Sequence, residues 1–432
     1  MRLEVRNGRL IDPATGQSPG RDERADVFID DDRIVGVGAG VSAAPAGFVA
    51  DKVIDAAGKV VAPGLVDLSA RLREPGFEHK ATLESELMAA SAGGVTSLVC
   101  PPDTEPVLDE PGLVEMLKRR GWTLNQARIY PLGALTAGLK GEKLSEMVEL
   151  TEAGCIGFFQ ADQPMVDTNV LYRAMQYAAT YGYTIWLRPE DAHLARGGIA
   201  HDGEVASRLG LAGIPASAET VAIATITTLM RDTGAKVHLA RLSSAGGVAL
   251  VRRAKADGLP LTADVGIHHL LLTDRDIGYF DSQYRFSPPL RSPSDRDALS
   301  AGVIDGTIDA ICSDHTPTDD DEKNVPFGEA TPGASGLEML LPLTLKWAEQ
   351  VKLPLPKALA KITSSPADVL RKSQGRFTVG APADLCIFDP RAFWAVTRET
   401  LVSQGKNTPY LAREMQGRVI HTICAGRVVY SA

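Results

Sequence analysis

The sequence predicts an α/β protein: a (β/α)8 TIM barrel with a small β-sandwich formed from both chain termini. Three observations lead there. The chain has 432 residues, which suits a barrel of roughly 250–300 residues plus a smaller unit. Eight short apolar runs recur along its middle, each followed by turn residues and a helix-like stretch. Both ends carry a different texture, of short strands and tight turns.

At the N-terminus, Leu3-Glu4-Val5-Arg6 alternates apolar and polar. Asp26-Val27-Phe28-Ile29 runs through Asp30-Asp31-Asp32 into Arg33-Ile34-Val35-Gly36-Val37, the pattern of a hairpin. At the far end, Asp384-Leu385-Cys386-Ile387-Phe388 reads as a strand, and residues 418–423 and 427–430 flank Ala425-Gly426 as a second hairpin. Pairing the two ends gives a sandwich from 1–60 with 375–432, leaving 61–374 for the barrel. The eight runs are residues 65–68, 95–100, 128–132, 155–159, 184–187, 236–239, 261–265 and 308–312. Segments 82–92 and 218–231 between them carry apolar residues at helical spacing. Eight such units in one stretch argue for a closed parallel barrel. Chemistry then belongs to polar residues at the C-terminal strand ends.

Composition narrows the function classes. Apolar residues make up 44% and charged residues 23%, enough for a large core and against global disorder. Net charge is −9, and no Lys/Arg cluster is interleaved with aromatics, which disfavours nucleic acid. The run Asp319-Asp320-Asp321-Glu322 reads as a solvated loop. Five cysteines, widely spaced and never as C-x-x-C, argue against a disulfide framework or a Cys-rich zinc site. There is no signal-peptide pattern, and no window approaches 18 consecutive apolar residues. A cytoplasmic protein is expected.

Pro63-Gly64-Leu65-Val66-Asp67-Leu68, followed by Leu72-Arg73-Glu74-Pro75-Gly76-Phe77-Glu78-His79-Lys80, resembles the first barrel strand of a dihydroorotase. Further stations follow in that family's order: Gly93-Gly94-Val95-Thr96, Pro131-Leu132-Gly133-Ala134, Glu190-Asp191, Ile214-Pro215 with Glu219, His268-His269-Leu270, Pro288-Pro289-Leu290-Arg291, Ser313-Asp314-His315 and Asn407-Thr408-Pro409. The resemblance implies a zinc-dependent hydrolase of a cyclic amide, with metals held at the ends of strands 1, 5, 6 and 8 and an Asp or carbamylated Lys supplied by strand 4.

Here the resemblance breaks. The strand-1 His-x-His pair, whose i, i+2 spacing puts both rings on one face, is replaced by Ser69 and Arg71. The strand-4 station, Gly157-Phe158-Phe159-Gln160-Ala161, offers Gln160 and neither Asp nor Lys. Arg188 stands for the strand-5 His and Arg241 for the strand-6 His; Asp314 alone is kept. Guanidinium has no lone pair and stays protonated. At 4 Å and an effective dielectric of 20, each would repel a unit positive charge by about 4 kcal/mol. Zinc loss and no cofactor are expected, with Arg71, Arg188 and Arg241 converging on the mouth and an Arg–Asp pair satisfying the vestigial Asp314. Substrate stations are altered too. Arg73 remains where the family grips a carboxylate, but Asp103 replaces an Asn, and Thr318 a second His.

The remaining polar residues have plainer readings. His315 should face away from the mouth, and His238 away from Arg241 as a core histidine. His268 and His269 read as loop packing, and Glu190 as a partner of Arg188. Residues 316–336, rich in Pro, Gly and Asp, read as a mobile rim loop. The resemblance is to non-catalytic dihydroorotase-like chains that partner aspartate transcarbamoylase. The leading expectation is therefore an inactive assembly subunit, oligomeric, with the transcarbamoylase catalytic chain as partner. The alternatives are an active cyclic amidohydrolase with an atypical or single-metal site, and a sensor of an anionic pyrimidine intermediate.

Overall fold

The computed structural model describes residues 1–13, 20–40 and 43–432. Positions 14–19 and 41–42, within the N-terminal part of the expected sandwich, lie outside the described residues. Eight parallel strands form the barrel: Leu65–Asp67, Val95–Cys100, Arg128–Pro131 continued by Gly133–Ala134, Phe158–Phe159, Thr184–Leu187, Lys236–Leu239, Leu261–Gly266 and Ala310–Cys312. They are barrel strands 1 to 8, and each falls on one of the eight apolar runs. Strand 8 meets strand 1 just beyond its end, where Arg71 N donates to His315 O at 2.9 Å and His315 N to Ser69 O at 3.1 Å.

These strands are buried on both faces, which is why they read as continuous apolar runs. Val66, Leu68, Val99, Leu132, Phe159, Trp186 and Ala310 fill the barrel interior. Leu65, Leu98, Phe158, Ile185, Leu187, Val237 and Ile311 point outward into the layer shared with the helices. Helix ends follow local chemistry. Thr82 Oγ1 accepts from Ser85 N at 3.2 Å to start Leu83–Ala92. Asp167 caps Thr168–Tyr181, which stops at Gly182 with φ +73°.

Strands from both termini share one eight-stranded sheet. Its order is Arg427–Ser431, Glu414–Cys424, Leu385–Ala395, Val60–Pro63, Arg2–Asp12, Arg21–Asp30, Arg33–Gly38, with Lys52–Asp55 also pairing Arg2–Asp12. Both expected hairpins are present, with Asp30 opposite Arg33 and Cys424 opposite Arg427. Leu3, Val5, Leu10, Val27, Ile29, Leu385, Ile387 and Ile423 form this unit's own buried core. Among the described residues no helix is long and apolar enough to cross a membrane.

Residues 316–336, expected to be mobile, are tied into the rim. Thr316 N donates to Ala334 O at 2.8 Å, Ser335 N to Asn407 O at 2.7 Å, and Lys80 pairs with Glu322 at 2.6 Å. Phe327 and Ala330 are buried. Turn-rich composition marked an irregular path, but not the anchors it would find. Asp319, Asp320 and Asp321 are exposed, as a solvated run should be.

Candidate functional site

Four non-glycine residues at the C-terminal strand ends have left-handed backbone: Arg73 (φ 62°), Ala161 (φ 52°), Arg241 (φ 59°) and Asp314 (φ 48°), after strands 1, 4, 6 and 8. Such conformations cost of order 1–3 kcal/mol each and persist where the surroundings over-determine them. Here they turn side chains across the barrel mouth.

Three guanidinium groups converge there on one carboxylate, that of Asp162. Arg71 Nη2 lies 2.9 Å from Asp162 Oδ2, Arg188 Nε 3.0 Å from Oδ1, and Arg241 Nη2 contacts the same Oδ1. Each arginine has further partners. Arg71 Nε donates to Asp103 Oδ2 at 2.8 Å, and Arg71 Nη1 to Thr316 Oγ1 at 3.0 Å. Arg188 grips Glu190 bidentately at 2.6 and 2.8 Å. Arg241 Nη1 donates to Asp314 Oδ1 at 3.0 Å and to Ser287 O at 3.1 Å. Arg71, Arg188 and Arg241 are 6%, 9% and 2% exposed, so their charges depend on these partners rather than on water.

The structure brings Arg71, Arg188, Arg241 and Asp314 together at the mouth, with two details the sequence did not give. Asp314 pairs with Arg241 and, at 3.8 Å, with Arg71, but not with Arg188, which turns to Asp162 and Glu190. The strand-4 station does deliver a carboxylate, two residues past Gln160. The readable signal was that i, i+2 relation; the kink at Ala161 hid it. Gln160 itself is structural, accepting from Thr136 Oγ1 at 2.9 Å and donating to Leu139 O at 2.9 Å. Ser69 contributes its carbonyl to the strand 8 closure. Arg73 Nε donates to Pro317 O at 2.8 Å. Thr318 is buried, its N–H given to Asn407 Oδ1 at 3.0 Å.

Electrostatics follow from this packing. For Asp162, burial opposes the charged form, but Arg241, Arg71 and Arg188 outweigh it and hold the carboxyl well below its ordinary range. Asp314 goes the other way: burial raises it, only partly offset by Arg241 and Arg71. Burial and then Arg71 push Arg73 down to about 10.

The histidines are spent elsewhere. His315 Nε2 meets Glu86 Oε2 at 2.7 Å, away from the mouth. His238 was expected to face the side opposite Arg241. It points into the barrel beneath the arginines, against Trp186 (4.0 Å between rings) and Asp264 Oδ2 (2.9 Å). The turn at Arg241 breaks the alternation on which that expectation rested. His268 meets Tyr410 OH at 3.2 Å, and His269 meets Pro288 O at 3.0 Å. Burial pushes them down to about 3 and about 4. An imidazole kept neutral in the folded chain but able to protonate in the unfolded one lowers stability as pH falls through the unfolded value near 6.5. Unfolding midpoints should drop between pH 7 and pH 4, and His268→Phe should flatten that slope. An unchanged slope in the variant would refute the assignment.

Beside the mouth, Glu219 is buried in the helix Ala216–Thr233. It accepts from Ser243 N at 2.8 Å, Ser243 Oγ at 2.5 Å, Ser244 N at 2.9 Å and Ser244 Oγ at 2.6 Å. It thereby braces the turn that follows Arg241 and starts the helix Ala245–Ala256.

A dihydro-orotase-like family model matches residues 58–246, and an amidohydrolase family model matches 204–430. A dihydroorotase-like protein of Pseudomonas aeruginosa is 45% identical over 430 residues, covering all of both chains. The chain is a dihydroorotase-like member of the amidohydrolase superfamily. A dihydroorotase-like protein of Pseudomonas putida is 44% identical over 100% of this chain and 99% of its own. The dihydroorotase of Geobacter sp. is 40% identical over the full length of both. The L-hydantoinase of Arthrobacter aurescens superposes with a TM-score of 0.86 at 24% identity, over 99% of this chain and 96% of that one, which establishes the shared barrel-plus-sandwich fold.

Zinc, which the family resemblance implies, does not fit this dihydroorotase-like mouth. It needs about four deprotonated N, O or S donors. Among the described residues no group of three or more His, Cys, Asp or Glu side chains is placed to hold a metal. Asp162 and Asp314 are already engaged by guanidinium groups, which can donate but never ligate.

Proposed function

We propose that this chain is a catalytically inactive dihydroorotase homologue of pyrimidine biosynthesis, a cytoplasmic assembly subunit for the aspartate transcarbamoylase catalytic chain. The observation that carries the reading is the mouth itself. Arg71, Arg188 and Arg241 occupy the positions where the family resemblance places imidazoles, and their charges are met by Asp103, Asp162, Glu190 and Asp314. The former metal stations have become a closed ion network that shapes the rim without a metal.

A second reading is favoured by the full-length similarity to chains named dihydroorotase, at 40% identity: an active cyclic amidohydrolase interconverting dihydroorotate and carbamoyl aspartate with an atypical or single-metal site. One set of measurements separates the two. Purified chain dialysed against zinc is expected to retain no stoichiometric metal and to turn over neither compound. When co-expressed with the transcarbamoylase catalytic chain, it should co-elute with it in one larger complex. Stoichiometric zinc with turnover would establish the second reading, and separate elution would remove the assembly role.

A further inference from the structure

The end of the barrel opposite the mouth carries a cleft of about 450 Å³. Lys236, the first residue of strand 6, lines it with Thr262 of strand 7. Lys361 and Arg371, on the segment that closes the barrel floor, also line it. Lys361 is fixed there because its carbonyl accepts from Ile311 N of strand 8 at 3.0 Å.

These cations lack counter-charges in contact. Among the described residues no carboxylate lies within 4.0 Å of Lys236, Lys361 or Arg371. The two carboxylates that line the cleft are engaged by other cations, Asp309 by Lys255 at 2.6 Å and Asp368 by Arg376. Among the described residues, Lys361 Nζ donates only to the Ile308 carbonyl, at 3.4 Å, and Lys236 Nζ only to that of Gly182, at 3.4 Å. Burial holds the Lys361 amine below its ordinary value, with Asp309 and Asp305 supporting the charge from farther away. A partly desolvated ammonium without an anion is an incomplete arrangement, and here three cations share one concavity in a chain of net charge −9.

We propose that this floor cleft is an anion site for a phosphate group, held by Lys236, Lys361 and Arg371. Two ammonium groups and a guanidinium suit a tetrahedral oxyanion with several oxygens to share. Thr262 selects phosphate over sulfate. Its Oγ1 lies 2.8 Å from His238 Nδ1, while His238 Nε2 faces Asp264 Oδ2 at 2.9 Å. Asp264 also accepts the Arg241 N–H at 2.7 Å, so it serves as an acceptor. His238 therefore carries its proton on Nε2, and Nδ1 accepts from the Thr262 hydroxyl. The hydroxyl lone pairs remain to accept a P–OH proton, which hydrogen phosphate has near neutral pH and sulfate lacks.

The test is titration of the full-length chain with inorganic phosphate at constant ionic strength, read by calorimetry and by unfolding midpoint. Saturable binding is expected, with the midpoint rising by about 1–2 °C at ten times Kd. Lys361→Gln and Arg371→Gln should each weaken binding by about tenfold, and sulfate should bind about tenfold more weakly than phosphate. Arg371 is exposed, so Arg371→Gln should leave the phosphate-free midpoint unchanged, which keeps the test valid should Lys361→Gln misfold. No saturable binding, undiminished binding in Arg371→Gln, or equal affinity for sulfate would each overturn the assignment.

Discussion

Asp162→Ala is expected to lower the stability of the folded chain by about 3–5 kcal/mol, a fall of roughly 3–5 °C in unfolding midpoint for a chain of this size. The substitution deletes a shared counter-charge of Arg71, Arg188 and Arg241. Three guanidinium groups, all under a tenth exposed, would then repel one another with fewer anions in reach. Asp162→Asn keeps the shape and removes the charge, so its loss should approach that of the alanine variant. Because the folded chain holds Asp162 below the ordinary carboxylate range, its contribution is complete above about pH 4 and fades as pH falls below that value. The gap between wild type and Asp162→Ala should therefore be widest near neutrality and narrow in acid. The two single losses for Asp162→Ala and Arg241→Ala should also sum to more than the double variant shows, because the pair is in contact. A midpoint within 1 °C of wild type at pH 7 would mean the cluster is ornamental.

Glu219→Ala should be comparably severe, at about 3–5 kcal/mol. One carboxylate accepts two backbone N–H groups and two hydroxyls at the Ser243-Ser244 turn, and alanine leaves all four donors without their acceptor in a buried place. Glu219→Gln retains one good acceptor oxygen but turns an amide donor toward other donors, so it should recover only part of the loss. Hydrogen exchange localises the effect: amides of the helix Ala245–Ala256 should lose protection before those of strand 2. The fit is tight on the other side as well. A Cβ on Gly247 would sit 2.1 Å from Glu219 Oε1, so Gly247→Ala should disturb the same brace.

The barrel was legible in the sequence because a strand covered on both faces has to be apolar without interruption, and Leu65–Asp67, Val95–Cys100 and the others are so covered. Arg71, Arg188 and Arg241 were legible as mouth residues because each directly follows an apolar run or lies at the i+2 position. What escaped was what periodicity cannot encode. Asp162 follows a left-handed Ala161, and His238 shares the interior with residues that a strict alternation through Arg241 would have put on the other face. Partner choice was legible only where it is local: the Arg188–Glu190 pair, two residues apart, could be read from the sequence, whereas the sharing of Asp162 by Arg71, Arg188 and Arg241, which sit on other strands, could not. The anchors of residues 316–336, including Asn407 and Lys80, come from distant sequence and left no local trace.

Val60–Pro63, the strand that leads into the barrel, lies between Arg2–Asp12 and Leu385–Ala395, the strand by which the chain leaves it. During synthesis the entering strand must wait with one edge unpaired until Leu385–Ala395 emerges from the ribosome, and such an edge is a template for wrong pairing. Truncating the chain before Leu385 leaves that edge unpaired for good, and should therefore harm solubility during expression more than trimming the Glu414–Ser431 hairpin alone.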